Sequence, residues 1–329
     1  SMSSVAFYEI VETIRHRFGL RVDEALPINR GYLNEKWMLH TNRGTWFAKC
    51  FHPQRYDKYG DAVWDEIDQA LRLQMAYFNT GGVCPALFEN EEGGYVHPTP
   101  AGRKFVLTAW SPGVNVAPGQ ASERQMFTLG MAAARMHHSW NVDNGAAMTP
   151  AAPVWSLHWD DIRKNWQERW ETGNAASSGI RESLLLQKEV MDRFDPSSMQ
   201  TGRAGWAHLD LWTENLLFSS DGLSAIVDFD RVRYSYPSLD IGRAILSCTL
   251  NAGDFRRDAA AAFAEGYRTV LPLSEDALLH AVRYSWLIES NWWIRPPAAS
   301  WSTAPRRFQQ EMIWTAAQWD RLEEALGNL

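Results

Sequence analysis

One stretch, residues 206–230, constrains this chain more than any other part of the sequence. Two short apolar runs flank a Ser-Ser-Asp-Gly sequence, which predicts a hairpin with its turn at residues 219–222. Asp210 and Asn215 lie in the segment before the first strand, and Asp228 directly follows the second strand. We therefore expect two carboxylates and one amide to converge at the mouth of a small sheet.

Such a set of side chains suits phosphoryl transfer. One carboxylate orients and deprotonates an attacking hydroxyl, while an amide oxygen and a second carboxylate hold Mg²⁺ on the nucleotide phosphates. The pattern His208-x-Asp210-x4-Asn215, followed by a hydrophobic-Asp-Phe triplet around Asp228, resembles the aminoglycoside phosphotransferase/choline kinase family. That family is a small-molecule branch of the protein-kinase-like fold.

Two positions depart from the family pattern. The family usually has Gly where this chain has Leu209, and it often has Gly two residues after the second Asp, where this chain has Asp230. Neither change removes an oxygen that the chemistry needs. Taken singly, Asp210 or Asp228 is more simply read as a turn or strand-capping residue, but the whole constellation in order favours catalysis.

The resemblance implies a bilobal α+β fold of the protein-kinase-like type. A small antiparallel-sheet N-terminal lobe covers residues 1–109, and a large helical C-terminal lobe covers residues 110–329. ATP or GTP is then the nucleotide and Mg²⁺ the metal, with Asp210 as the catalytic base and Asn215 and Asp228 as metal ligands. By the same resemblance His208 orders the loop, and Asp240 braces it.

The first hairpin carries a weaker signal for nucleotide binding. Residues 26–38 read as strand, turn and strand, and a glycine in the turn lets backbone N–H groups approach phosphate. Gly31 and Asn34 match the Gly-x-x-Asn sequence that the resembled family often has in this loop. The chain has no Gly-Lys-Ser/Thr sequence, so this is not a Walker A loop.

Lys49 is a lone cation in the apolar third strand. A lysine in a strand usually faces water, but the resembled fold places its phosphate-binding lysine on this strand. A helix is predicted over residues 61–78, and Glu66 on it is the expected partner of Lys49, with Asp68 as the rival. A solvated Glu66 is the alternative.

The resembled family reads adenine with the backbone of a hinge between the lobes. Residues 84–88 and 105–110 predict two further strands, and a Ser-Pro-Gly sequence then breaks the chain. Ala109 and Trp110 match the hinge, although Trp110 also suits a place in the core.

Apolar periodicity and capping signals predict the remaining helices. Ser122 and Gln125 form a capping box at the start of one of them. The other predicted helices cover residues 5–18, 155–170, 180–194, 237–251, 254–270, 275–294 and 303–326.

Length and charge bound the class of protein. The 329 residues suffice for two domains, and no apolar run approaches the roughly 20 residues of a membrane span. A net charge of −7 argues against nucleic acid or an anionic membrane as the main partner. The scattered Cys50, Cys84 and Cys248 fit a reducing compartment and do not suggest zinc. We therefore expect a cytoplasmic enzyme without a secretory leader.

The phosphate acceptor is harder to predict. Trp212, Asp230, Glu289 and Trp292 combine carboxylates with tryptophan faces, which suits a cationic amino alcohol or an aminoglycoside-like acceptor. The tryptophans also fit an ordinary core, and a neutral sugar stacked on Trp292 is the rival. Residues 263–274 resemble bacterial homoserine-kinase-like members.

Three alternatives remain. A homoserine-like acceptor needs a cation such as Arg243 or Arg295 for its carboxylate. A nucleotide-binding pseudokinase with a regulatory role needs no base, so Asp210 argues against it. A protein kinase is disfavoured because the chain lacks an Ala-Pro-Glu-like segment after Asp228.

Overall fold

The N-terminal part of the chain forms an antiparallel sheet with helices, as its strand and helix signals predict. The computed structural model describes residues 2–28, 34–143, 149–150, 152–173, 178–251 and 253–329. The elements up to residue 109 are α1 (Met2–Phe18), β1 (Val22–Pro27), β2 (Glu35–Thr41), β3 (Gly44–Cys50), α2 (Pro53–Tyr56), α3 (Ala62–Asn79), β4 (His97–Pro98) and β5 (Lys104–Ala109).

The five strands pair in the order β1-β2-β3-β5-β4, and every pair is antiparallel. Helix α1 packs on one face of the sheet, where Ile10 and Ile14 contact the same core as Leu39, Ala48 and Leu107. Each fully buried Ile or Leu side chain contributes about 1.5–3 kcal/mol. This face fixes the sheet and leaves the other face to position charged side chains.

The strand predicted over residues 84–88 is wrong. This segment follows β5 only irregularly, through hydrogen bonds such as the one from the Phe88 N–H to the Leu107 carbonyl at 2.9 Å. Pro85 has no N–H to donate, which is unfavourable in a regular ladder. The edge strand beside β5 is β4 instead.

The remainder of the chain is mostly helical. Its capping box is confirmed, because the Gln125 N–H donates to Ser122 Oγ and the Ser122 N–H donates to Gln125 Oε1. The predicted helix over 303–326 is interrupted at residues 318–321. The elements are α4 (Glu123–His138), α5 (Trp159–Gly173), α6 (Ser178–Arg193), β6 (Gly205–Ala207), β7 (Leu216–Ser219), β8 (Gly222–Ile226), β9 (Arg233–Ser235), α7 (Pro237–Thr249), β10 (Leu250–Asn251), β11 (Asp254–Phe255), α8 (Arg257–Arg268), α9 (Ala277–Trp293), α10 (Thr303–Ala317) and α11 (Leu322–Leu326).

By its internal packing the chain divides into two units. The first unit comprises Ser1–Asn115, Glu214–Ser219 and Leu223–Val232, and the second comprises Val116–Thr213, Ser220–Gly222 and Arg233–Leu329. Most of the β7–β8 hairpin thus belongs to the first unit, where the Ile226 N–H donates to the carbonyl of Val83, in the segment after α3, at 2.8 Å. The boundary predicted at residue 109 lies inside the first segment. Among the described residues, no helix has the length and apolarity to cross a membrane.

Candidate active site

Lys49 on β3 is the centre of a buried charged cluster in the first unit. Its Nζ donates to Oδ1 of Asp228 at 2.8 Å and to Oδ1 of Asp230 at 2.5 Å. Only 5% of the residue is exposed, so Lys49 does not lie on the wet face of the strand, and its role in binding phosphate stays a prediction. The β7–β8 hairpin brings both carboxylates to this strand.

The cluster fixes the charge state of its members. Burial opposes a charge on Lys49, but Asp228 and then Asp230 outweigh it and raise the pKa of the lysine. Burial also opposes a charge on Asp228, yet Lys49 and Lys36 hold the pKa of that carboxyl well below its usual range. Burial raises the pKa of Asp230, and Asp228 adds to this because two carboxylates share one lysine.

Lys36 is a member of the site that the sequence analysis missed. The register of the β2–β3 hairpin places it directly opposite Lys49, on the same face of the sheet. Its Nζ lies 3.9 Å from Oδ2 of Asp228. A signal was present, because the two-residue turn at 42–43 fixes the register and so predicts which residues face each other.

The sequence predicts that Glu66 on α3, or its rival Asp68, pairs with Lys49. Glu66 has an exposed side chain, and its pairing with Lys49 stays a prediction. The rival, Asp68, accepts a hydrogen bond from Arg72 at 2.8 Å and another from the Tyr95 N–H.

The charged cluster lies in a cleft of about 880 Å³ that is partly open to solvent and belongs to the first unit. Its walls combine the polar group just described with apolar side chains from the sheet, from α3 and from β7. The main apolar residues are Ile28, Phe47, Leu71, Leu87, Val106 and Leu217.

The hinge residues line the same cleft, but their N–H groups already have acceptors within the first unit. The Ala109 N–H donates to the Ala86 carbonyl at 2.9 Å, and the Trp110 N–H donates to the Thr45 carbonyl at 3.2 Å. Ser111 also lines the cleft, and within the described part of the chain its N–H has no hydrogen-bond acceptor. The N–H groups of Ala109 and Trp110 thus already have acceptors, and the reading of adenine by the hinge backbone stays a prediction.

The first loop is only partly described. Gly31 lies outside the described residues. Asn34 accepts a hydrogen bond from the His52 N–H at 3.0 Å and donates to the Tyr56 hydroxyl at 3.3 Å. These bonds tie the start of β2 to the segment after β3, and the phosphate role of Asn34 stays a prediction.

Asn215 and Asp228 are brought together at the end of the hairpin. The Val227 N–H donates to the Asn215 carbonyl at 2.9 Å, and both side chains line the cleft. Asp228 has φ of 65°, a conformation that non-glycine residues adopt at a cost. Among the described residues, no group of three or more His, Cys, Asp or Glu side chains is arranged to hold a metal. An ionised carboxylate beside an amide oxygen still fits Mg²⁺, which takes few protein ligands and completes its shell with phosphates and water.

The loop that carries Asp210 belongs to the second unit, so the convergence of all three oxygens stays a prediction. The backbone N–H groups of His208 and Leu209 each donate to the fully buried Asp240 carboxylate at 2.8 Å. The Asp210 N–H donates to Nδ1 of His208 at 3.1 Å. The expected bracing role of Asp240 and ordering role of His208 are confirmed.

Leu209 has a backbone conformation that favours glycine, the residue that the resembled family usually has at this place. Its φ is 67°, in the left-handed region. The side chain is buried in a core cluster with Ala207, Leu239, Tyr284 and Ile288. Burial of the leucine offsets a backbone strain of about 1–3 kcal/mol.

The candidate acceptor residues are all engaged within the protein. Glu289 accepts from Arg243 at 2.8 Å in a buried pair, and Arg243 also donates to Glu311. Asp230 binds Lys49 in the first unit, so both carboxylates expected in a cationic pocket are bound to cations of the chain. The physical reason is that a carboxylate removed from water needs a partner.

The candidate tryptophans pack against other rings. The ring centroids of Trp212 and Phe308 lie 4.4 Å apart, and those of Trp292 and Trp155 lie 4.7 Å apart. Both tryptophans remain partly exposed. The cation that a homoserine-like acceptor would need at Arg295 already donates to the Asn291 carbonyl at 2.7 Å. Acceptor contacts by these residues stay predictions.

Comparison with known sequences shows the family of this chain. A family model described as "Phosphotransferase enzyme family" matches residues 24–273. A homoserine kinase of Rhizobium johnstonii is 25% identical over 254 residues, which cover 75% of this chain and 72% of the relative.

Solved structures show the same fold. A microcompartment-associated aminopropanol kinase superposes with a TM-score of 0.66 at 17% identity, covering 99% of this chain and 100% of that chain. An amicoumacin kinase in complex with AMP-PNP, Ca²⁺ and Ami superposes with a TM-score of 0.61 at 17% identity, covering 92% of each chain. These likenesses confirm the kinase-like α+β fold predicted from the sequence.

Proposed function

Because this chain belongs to the phosphotransferase enzyme family and is a small-molecule kinase, we propose that it phosphorylates the hydroxyl of a small, amine-bearing alcohol with ATP or GTP. The observation that carries the proposal is the single cleft that Lys49, Asn215 and Asp228 line together. These residues come from segments as much as 179 residues apart in the sequence.

The nucleotide base would lie between the apolar walls of the cleft. The Ser111 N–H supplies a hydrogen-bond donor for the edge of the base, since the N–H groups of Ala109 and Trp110 already have acceptors. Lys49 holds the α- and β-phosphates through charge-assisted hydrogen bonds. The raised pKa keeps this lysine charged at neutral pH.

Asn215 and Asp228 would hold Mg²⁺. When bound, the metal neutralises charge on the phosphates and helps to align them. Asp228 suits this role because its lowered pKa keeps it ionised. Its fixed, strained backbone holds the carboxylate at one place in the cleft.

Asp210 would act as the general base. The acceptor oxygen forms a bond to the γ-phosphorus, the bond to the bridging oxygen of the nucleoside diphosphate breaks, and the hydroxyl proton passes to the Asp210 carboxylate. The hydrogen bonds from His208 and Leu209 to Asp240 hold the loop that carries Asp210. Such positioning of a base contributes about 10²–10⁴-fold in rate.

The proposal that the acceptor carries an amine rests on the relatives and not on an acceptor pocket in this structure. The named acceptors of the matched homoserine and aminopropanol kinases carry both an amino group and a hydroxyl group. Trp212, two residues after the proposed base, is partly exposed, but its ring already lies 4.4 Å from the Phe308 ring and 5.9 Å from the Arg307 guanidinium. A contact from an acidic residue to the amine, or from a second cation to a carboxylate of the acceptor, would narrow this class of acceptor.

Nucleoside diphosphate release by the purified protein with Mg²⁺ tests the proposal. The panel pairs homoserine with 4-hydroxybutyrate and 1-amino-2-propanol with 1,2-propanediol, and adds choline, an aminoglycoside and glucose. We expect turnover with at least one amine-bearing acceptor and at least a tenfold loss with its amine-free partner. A preference for glucose would contradict the amine, and nucleotide binding without turnover on any acceptor would favour the pseudokinase.

A further inference from the structure

Lys36 lies opposite Lys49 in the cleft, and the motifs described above assign no role to a second cation there. Resting on the nucleotide site proposed above, we propose that Lys36 is a second phosphate-binding residue, which holds the β- and γ-phosphates beside Lys49. The resembled pattern contains one such lysine, on β3. Here the adjacent strand supplies another.

The geometry of the hairpin carries this inference. The β2–β3 register pairs Lys36 with Lys49, so both side chains leave the same face of the sheet. Both line the cleft. The side chain of Lys36 is 13% exposed, and that of Lys49 is 6% exposed, so neither ammonium group is simply solvated at the surface.

Two like charges directly opposite each other on a sheet are destabilising. Asp228 compensates for this, because its Oδ1 lies 2.8 Å from Lys49 and its Oδ2 lies 3.9 Å from Lys36. With Asp230 on Lys49, the cluster contains two lysines and two carboxylates. In the protein alone these two carboxylates neutralise the lysines. The oxygens of a bound polyanion would take over that role.

Lys36 is the more weakly held of the two lysines. Its separation from Asp228 is longer than a hydrogen bond, whereas Lys49 makes short hydrogen bonds to two carboxylates. A small rotation of its flexible side chain redirects the ammonium group from Asp228 to a phosphate oxygen without breaking a hydrogen bond. The charge on Asp228 is then available to a metal.

A merely structural role makes a different prediction. If Lys36 serves only to neutralise Asp228, its removal leaves an uncompensated carboxylate that repels nucleotide phosphates, and the loss of affinity disappears in the Asp228→Asn background. If Lys36 binds phosphate, the affinity for metal-free ATP and ADP falls in both backgrounds, and the affinity for adenosine does not. The two roles therefore separate in EDTA when Lys36→Met is made in each background, and a loss that disappears with Asp228→Asn overturns the proposal.

Titration calorimetry with adenosine, AMP, ADP and ATP tests the proposal, in EDTA and again with Mg²⁺. The variants are Lys36→Met, alone and combined with Asp228→Asn, Lys36→Arg and Lys49→Met, with the exposed Lys58→Met as the matched control. For Lys36→Met we expect the affinity for ATP and ADP to fall about 10- to 100-fold, as for loss of a charge-assisted hydrogen bond. Affinity for adenosine should stay within twofold, Lys36→Arg should recover most of the loss, and Lys58→Met should match the wild type.

Unchanged affinity of Lys36→Met for metal-free ATP would overturn the proposal, and so would an equal loss for adenosine and ATP. An unimpaired Lys36→Met beside an impaired Lys49→Met rejects Lys36 alone and leaves the proposed function standing. If neither variant distinguishes ATP from adenosine, the cleft is not a phosphate site and the proposed function fails with it.

Discussion

The ammonium group of Lys49 and the carboxylate of Asp228 form a buried ion pair at 2.8 Å, although 179 residues separate them in the sequence. The pair ties the β7–β8 hairpin to the third strand of the N-terminal sheet. It also holds a cation and a potential metal ligand side by side before any ligand binds. The charges in this cleft therefore already compensate each other in the protein alone.

Asp228→Asn should abolish the gain in nucleotide affinity that Mg²⁺ provides. The amide has nearly the same shape, but it lacks the charge that favours a divalent cation. We expect calorimetry to show at least a tenfold loss of ATP affinity with Mg²⁺, on the order of one charge-assisted contact. Affinity in EDTA should be kept or improved, because Lys49 is released from one carboxylate. Equal losses with and without the metal would reject the ligand role, and the exposed Asp221→Asn is the matched control.

Substitutions at Leu209 should separate backbone strain from burial. Leu209→Ala keeps a side chain at a φ of 67° and loses buried contacts, so the free energy of unfolding should fall by about 2–5 kcal/mol. Leu209→Gly loses the same contacts but relieves the strain, so it should be about 1 kcal/mol more stable than the alanine variant. Denaturant titrations that rank alanine equal to or above glycine would show that the loop is not strained there.

His97 should make the stability of the protein depend on pH near neutrality. Burial lowers its pKa, the hydrogen bond to the Phe88 carbonyl opposes this, and Arg17 adds to the lowering. Nδ1 of the ring is buried without a hydrogen-bond partner among the described residues, so protonation of the folded state is costly. Because the folded pKa is depressed, the stabilisation is fully present above about pH 6.5 and is lost as pH falls through the folded value.

The measurement is the free energy of unfolding at pH 7.5, 6.5 and 5.5. Wild type should lose stability in this range with a slope of at most about 1.4 kcal/mol per pH unit from this one group. His97→Gln cannot titrate and should show a shallower slope than the wild type. Parallel slopes for wild type and His97→Gln would contradict the assignment.

Glu289→Gln should act mainly on stability. It leaves the buried Arg243 with Glu311 as its remaining carboxylate, and we expect a loss of about 1–3 kcal/mol in the free energy of unfolding. The exposed Glu182→Gln should stay within about 0.5 kcal/mol of wild type. A stable Glu289→Gln variant with a raised KM for a cationic acceptor would instead restore Glu289 to the acceptor pocket.

The parts of the site that follow from local order were predictable from the sequence. His208, Asp210 and Asn215 lie within one loop, and Asp240 comes shortly after the hairpin, so their order along the chain indicates their chemistry. Helices with strong apolar periodicity, such as α1 and α4, were predicted to within a few residues. Their signals arise from neighbours in the chain and need no knowledge of packing.

The parts of the site that were not predicted depend on contacts between residues that are distant in the sequence. Asp230 and Glu289 looked like free carboxylates because a sequence does not say which cation will neutralise them, and packing gave them Lys49 and Arg243. The segment around Pro85 has the apolar character of a strand, but its course along β5 depends on hydrogen bonds made outside the segment. Lys36 was overlooked because its place in the site follows from the strand register that pairs it with Lys49, and not from the residues next to it in the sequence.

Turnover by Asp210→Asn tests the central claim most directly. Wild type and variant are compared with the best acceptor of the amine-bearing panel, Mg²⁺ and saturating ATP, following nucleoside diphosphate release and the phosphorylated acceptor by ³¹P NMR. Because the amide cannot accept the hydroxyl proton, kcat should fall by about 10²–10⁴, while the ATP Kd and the free energy of unfolding remain those of wild type. Near-wild-type kcat in a folded Asp210→Asn variant would contradict the account.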